Sequence, residues 1–143
     1  MWRRRRVALA LMVLATSVMV RADDSSYRVI VNPKNPTTVL DRKFIEAAFL
    51  KKISSWPSGD TIKPVDLPSS SATRRTFTSD VLGRSVEEVR RYWQQRIFSG
   101  QDVPPPERGS DDDVVKYVLE HDGAIGYVSA RTNLGGTHAV VVQ

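Results

Sequence analysis

The first 22 residues do not read as part of a folded domain. "MWRRRR" is a basic stretch, and "VALALMVLATSVMV" (Val7–Val20) is an apolar run of 14 residues. "VRA" (Val20–Ala22) then offers a small-residue cleavage position. This is the layout of a secretory signal peptide. The run is short of the roughly 20 apolar residues that a membrane span needs. An uncleaved N-terminal anchor is the other reading. With residues 1–22 as a signal peptide, one domain is expected over 23–143, exported to a bacterial periplasm.

Removing the leader changes the charge argument. The whole chain carries 21 basic and 16 acidic side chains. Five of the basic ones (Arg3, Arg4, Arg5, Arg6 and Arg21) lie in the leader, which leaves 16 of each sign over residues 23–143. A net charge of zero there gives no reason to expect nucleic acid or a polybasic membrane contact. The chain has no cysteine. An exported domain of this size must then hold together by packing rather than by disulfides.

Within 23–143 the hydrophobic pattern alternates between two periods. "YRVIVNP" (Tyr27–Pro33) and "TIKPVDL" (Thr61–Leu67) read as strands, as do "AIGYV" (Ala124–Val128) and "THAVVVQ" (Thr137–Gln143). "DRKFIEAAFLKK" (Asp41–Lys52) reads as a helix with Asp41 as its cap and with Phe44, Ile45, Ala48 and Phe49 on one face. A second helix runs from the serines near Ser69 to Gly83, with Phe77, Val81 and Leu82 facing the core. "SVEEVRRYWQQRIF" (Ser85–Phe98) has capping-box spacing at Ser85 and Glu88, and Val86, Val89, Trp93 and Ile97 form its apolar stripe. "SDDDVVKYVLEHDG" (Ser110–Gly123) places Val114, Val115, Val118 and Leu119 inward. The order β-α-β-α-α-α-β-β predicts an α/β fold, a small mixed sheet flanked by helices.

Chemistry-bearing motifs are few. His121 and His138 are the only histidines and do not form a metal-binding spacing. Asp111, Asp112 and Asp113 sit at a helix start, where acids are stabilising in any case, and no metal or other cofactor is expected. No nucleophile elbow or glycine-rich phosphate loop is present, so no enzyme is expected. The stretch that stands out is "LPSSSATRRTF" (Leu67–Phe77). Serines cap a helix start, whereas two arginines in a first turn oppose the helix dipole unless an anion offsets them. Read as a binding turn, it offers Ser70, Ser71, Thr73 and Arg74 as contacts. Read without a ligand, it is a capped helix with solvated or locally paired arginines.

Several of these pieces, taken in order, resemble the phosphate-type periplasmic substrate-binding proteins (the type II binding-protein fold). "VIVNP" resembles that family's strand leading into the second lobe. "FIEAAFLKKISSWPSGDTIKPVD" resembles its helix followed by "F-x-G-x-x-x-W-x-D-G" and a strand. "SATRRTFTSDVL" resembles "S-G-T-x-x-x-F-T-x-x-L", and "DGAIGYV" resembles "P-G-A-I-G-Y-V". The resemblance implies a single lobe of such a protein, binding phosphate or a similar oxyanion beside the membrane subunits of an ABC importer. It implies that Ser71, Ala72 and Thr73 form the anion turn. Two positions depart from the pattern: Ala72 stands for the family's glycine, and Leu67 for its anion-binding arginine. A lobe without its partner lobe leads us to expect weak binding. An alternative is a lobe that has lost its small ligand and serves as an interaction module for another envelope protein. A homodimer that completes the ligand shell is a third reading.

Overall fold

The computed structural model describes residues 26–143; the leader expected over 1–22 lies outside the described residues. The chain forms β1 (Tyr27–Val31), β2 (Val39–Leu40), α1 (Arg42–Phe49), β3 (Lys63–Pro64), α2 (Ala72–Phe77), α3 (Val86–Phe98), α4 (Asp111–Glu120), β4 (Ala124–Ser129) and β5 (His138–Val142). A π-helical turn, Thr78–Leu82, prolongs α2 without a break.

The five strands make one mixed sheet in the order β2-β5-β1-β4-β3. β1 is central and antiparallel to both β4 and β5, while the outer pairs β2–β5 and β3–β4 are parallel. Successive strand residues point to opposite faces, and β4 shows what covers each. A Cβ at Gly126 would meet Val114 and Val118 of α4. The next residue, Tyr127, stacks on Phe77 of α2 at a centroid distance of 3.8 Å and lies beside Phe49 of α1 at 5.8 Å. The sheet is therefore sandwiched, with α4 on one face and α1 and α2 on the other.

That sandwich explains why β1 does not alternate. Val29, Ile30 and Val31 are all buried. Val29 pairs with Tyr127 and Ile30 with Gly126, so the two point at opposite helix layers. The polar turn "NPKNP" is also built in. Asn32 is buried, and its side-chain amide donates to the Val118 and Leu119 carbonyls at 2.9 and 3.2 Å. It thus satisfies two orphan acceptors at the C-terminal end of α4.

The helices begin where the capping residues place them. Asp41, Ser71, Ser85 and Ser110 each accept a hydrogen bond from a first-turn backbone N–H. Gly83 adopts φ 62° and ends the π turn, a conformation that suits glycine. Other expectations are corrected. Strand "TIKPVDL" shrinks to Lys63–Pro64 plus two isolated bridges, Thr61 to Ser55 and Asp66 to Glu107, and Pro64, with no N–H to donate to a second neighbour, suits the sheet edge. β2 was not anticipated: two residues are too few to show a period. Ile97 and Leu119, expected inside, are 52% and 40% exposed, and Phe98 is 95% exposed. α3 buries only its middle, at Val89 and Trp93, and leaves Ile97 and Phe98 of its last turn exposed.

Two glycines allow the close packing around β4. A Cβ at Gly126 would lie 2.9 Å from Val114 Cγ1 and from Val65 Cγ1. At Gly123 it would lie 1.9 Å from the Thr61 backbone carbonyl oxygen. Methyl groups on side chains can shift, but a backbone carbonyl cannot without moving the chain around it. We therefore expect Gly126→Ala to destabilise the fold by about 1–3 kcal/mol in urea unfolding, and Gly123→Ala to cost more than Gly126→Ala.

Candidate anion-binding site

The turn into α2 is held from below. Leu67, the residue before it, is buried. Its N–H donates to the Tyr127 hydroxyl at 3.3 Å, and its carbonyl accepts from Arg74 Nη1 at 2.7 Å. The Ser71 N–H closes a tight turn on the Pro68 carbonyl at 2.9 Å. Ser71 Oγ then accepts from the Arg74 N–H at 3.1 Å, as an N-cap does. The hydroxyl proton of Ser71 and the N–H groups of Ala72 and Thr73 are not used by the helix itself. Ser69 and Ser70 are exposed and Ser71 is half-buried.

The two adjacent arginines are placed on opposite sides. Arg74 is 8% exposed. Its Nη1 also donates to Glu107 Oε1 at 2.6 Å, and its Nε lies 3.9 Å from Asp66 Oδ1. Asp66, itself buried, accepts from the Tyr127 hydroxyl at 2.6 Å. Burial pushes the Asp66 carboxyl above the usual carboxylate range, and the Arg74 charge and Tyr127 hydroxyl offset only part of this. Burial likewise opposes the Arg74 charge, but the Asp66 and Glu107 carboxylates outweigh it and strengthen its hold on the proton. Burial and the neighbouring carboxylate push the Tyr127 phenol well above its ordinary range.

Arg75 is exposed and reaches back to the Ser70 carbonyl at 2.9 Å. It lines a groove of about 710 Å³ that runs from Ser69 and Ser70 to the start of α3 at Ser85. Of the four residues that the sequence singled out, Ser70 and Ser71 stand on the open turn. Thr73 and Arg74 lie beneath it, with the Arg74 guanidinium on Leu67 and Glu107. The sequence reading did not anticipate Asp66, Glu107 and Tyr127 as partners of Arg74. Helical spacing carried part of that signal. Arg74 precedes the buried Phe77 and Thr78 by three and four residues and so shares their inward face, whereas Arg75 falls outside it. The carboxylate partners carried no such signal, because Glu107 comes from a distant proline-rich loop.

The fold has relatives among solved structures. An ABC-type phosphate transport receptor from Vibrio cholerae superposes with a TM-score of 0.64 at 21% identity, over 81% of this chain and 45% of that one. A protein assigned as a phosphate ABC transporter substrate-binding protein from Clostridium perfringens, solved with bound phosphate, gives 0.63 at 22% identity, over 81% and 44%. PstS from Borrelia burgdorferi gives 0.62 at 14% identity, over 82% and 47%. This chain thus spans less than half the length of the structures it matches. No curated protein sequence is significantly similar to it. A family model described as a PBP superfamily domain matches residues 18–141. A match over nearly the whole chain, together with the mixed α/β fold, shows that this chain belongs to the PBP superfamily.

Proposed function

We infer that this chain is an exported substrate-binding protein that holds phosphate or a similar oxyanion at the turn into α2, and that it has no catalytic role. The observation that carries the reading is the Ser69–Thr73 turn. It presents the exposed Ser69 and Ser70 hydroxyls beside the Arg75 guanidinium on one groove, and the N–H groups of its first turn are not used by the helix. Free N–H groups at a helix start and a nearby cation favour an anion there. The solved neighbours described as phosphate receptors support the ligand class.

In this reading Ser70 and Ser71 donate from their hydroxyls and Thr73 from its backbone N–H. Arg74 acts through the turn: it grips the Leu67 carbonyl and would meet the anion itself only by leaving Glu107. Arg75 supplies the exposed charge. The export signal over 1–22 and a periplasmic location belong to the same proposal, as do the membrane subunits of an ABC importer as partners. A second copy of the chain is one way to close the open side of the turn.

A second reading has its own observation. Ile97 and Phe98 in the last turn of α3 and Val103 in the loop after it are exposed apolar residues. Such a patch favours a protein interaction module for another envelope protein. It joins Ala72 and Leu67, which depart from the family's anion turn.

Calorimetric titration of the full chain, refolded to remove carried ligand, separates the two. Saturable binding of phosphate that falls about tenfold or more in Arg75→Ala supports the anion site, since a hydrogen bond to a charged group contributes about 1.5–3 kcal/mol. No heat at millimolar phosphate or sulfate overturns it and favours the interaction module. Arg74→Ala is expected to act on stability instead. Removing one partner of a buried ion pair costs about 3–5 kcal/mol, and chemical denaturation reads this directly. Arg75→Ala is expected to leave stability within about 0.5 kcal/mol, as for most exposed positions.

A further inference from the structure

The groove beside the turn is far larger than an inorganic oxyanion requires. Its volume of about 710 Å³, open to solvent, lies within the range of small-molecule pockets, about 300–1,000 Å³. Two separate elements supply its walls: the α2 start brings Ser69, Ser70 and Arg75, and the Gly83–Ser85 turn brings Arg84 and Ser85. Ser79 of the π turn also lines it.

The charges in this groove are unevenly matched. Among the described residues, neither Arg75 nor Arg84 has a carboxylate within 4.0 Å. Each is held in place by another contact: Arg75 on the Ser70 carbonyl at 2.9 Å, and Arg84 with its guanidinium 5.6 Å from the centre of the Tyr92 ring. Two guanidinium groups that line one groove without a carboxylate partner favour an anion in it. The rest of the wall is hydroxyl-rich. At the α3 end Glu87 is engaged by Arg90, which leaves Glu88 as an acceptor without an ion-pair partner among the described residues. Hydroxyls and a free carboxylate suit a ligand body that carries hydroxyl groups of its own, because each can exchange hydrogen bonds with it.

We propose that the groove takes a phosphate monoester of a sugar or polyol, with the phosphate at the α2 turn and the hydroxylated body extending along Ser79 and Arg84 towards Glu88. This rests on the oxyanion reading of the turn and names the ligand class. The groove's size, its second unpaired guanidinium and its hydroxyl wall are what inorganic phosphate leaves unused.

The test is a calorimetric titration of the full chain with three probes: inorganic phosphate, glucose 6-phosphate and glucose. The expected result is that the ester binds at least tenfold more tightly than inorganic phosphate, while glucose alone gives no saturable heat. In Arg84→Ala the ratio of the two affinities is expected to fall to within about twofold of one. Equal affinity for ester and phosphate in the native chain overturns the proposal and leaves the oxyanion reading standing, as does a preference for the ester that Arg84→Ala does not change. No binding of either anion overturns both. Circular dichroism of Arg84→Ala, with an unchanged melting curve, establishes that a lost preference comes from the groove rather than from unfolding.

Discussion

Tyr127 is the contact on which the placement of everything else near the site depends. Its ring lies nearly parallel to Phe77, at 10° and 3.8 Å, and so fixes α2 against the sheet. Its hydroxyl donates to Asp66 and accepts from the Leu67 N–H, and so fixes the segment that enters α2. One side chain thereby locks both the helix and the turn that precedes it. An aromatic pair of this kind is worth about 0.5–1.5 kcal/mol beyond its buried area. The hydroxyl matters as much, because a buried Asp66 without a donor would be an uncompensated polar group.

The same contact explains the division of labour between Arg74 and Arg75. Because Phe77 is pinned to Tyr127, the face of α2 that carries residue 74 must point inward. The guanidinium there can remain charged only if carboxylates and carbonyls surround it. Asp66, Glu107 and the Leu67 carbonyl do so. Glu107 belongs to the loop between α3 and α4, and its neighbours form backbone hydrogen bonds to Asp66 on both sides, Asp66 N–H to Pro106 and Arg108 N–H to the Asp66 carbonyl, each at 2.9 Å. The loop with three consecutive prolines is therefore fastened to the core beside the turn. Arg75, one residue on, rotates by about 100° to the open side and is left to the groove.

Much of this architecture was legible from local chemistry. Caps at Asp41, Ser85 and Ser110, the glycine stop at Gly83 and the apolar stripes of α1 and α4 are properties of short segments, and short segments hold them wherever they are placed. The mixed α/β class and the resemblance of "SATRRTFTSDVL" and "DGAIGYV" to a binding-protein lobe were legible for the same reason. The exposed Ile97 and Leu119 were not. A helical stripe shows which residues share a face, but not whether a partner covers the whole of it, and the last turn of α3 is left exposed.

The order of residues by itself determined where each helix begins, which face of it is apolar, and that a serine-capped turn with two arginines stands between a strand and a helix. Tertiary structure decided how that turn is held and what lies beside it. It put Arg74 on Glu107, a residue 33 positions away in sequence, and placed Arg75 and Arg84 along one groove. It also made Gly126 the point where α4 meets the sheet. Caps and periods are set by hydrogen bonds within a few residues, so a sequence displays them. Ion pairs, grooves and close approaches depend on distances across the chain, which come into being only when the sheet brings its strands and helices together.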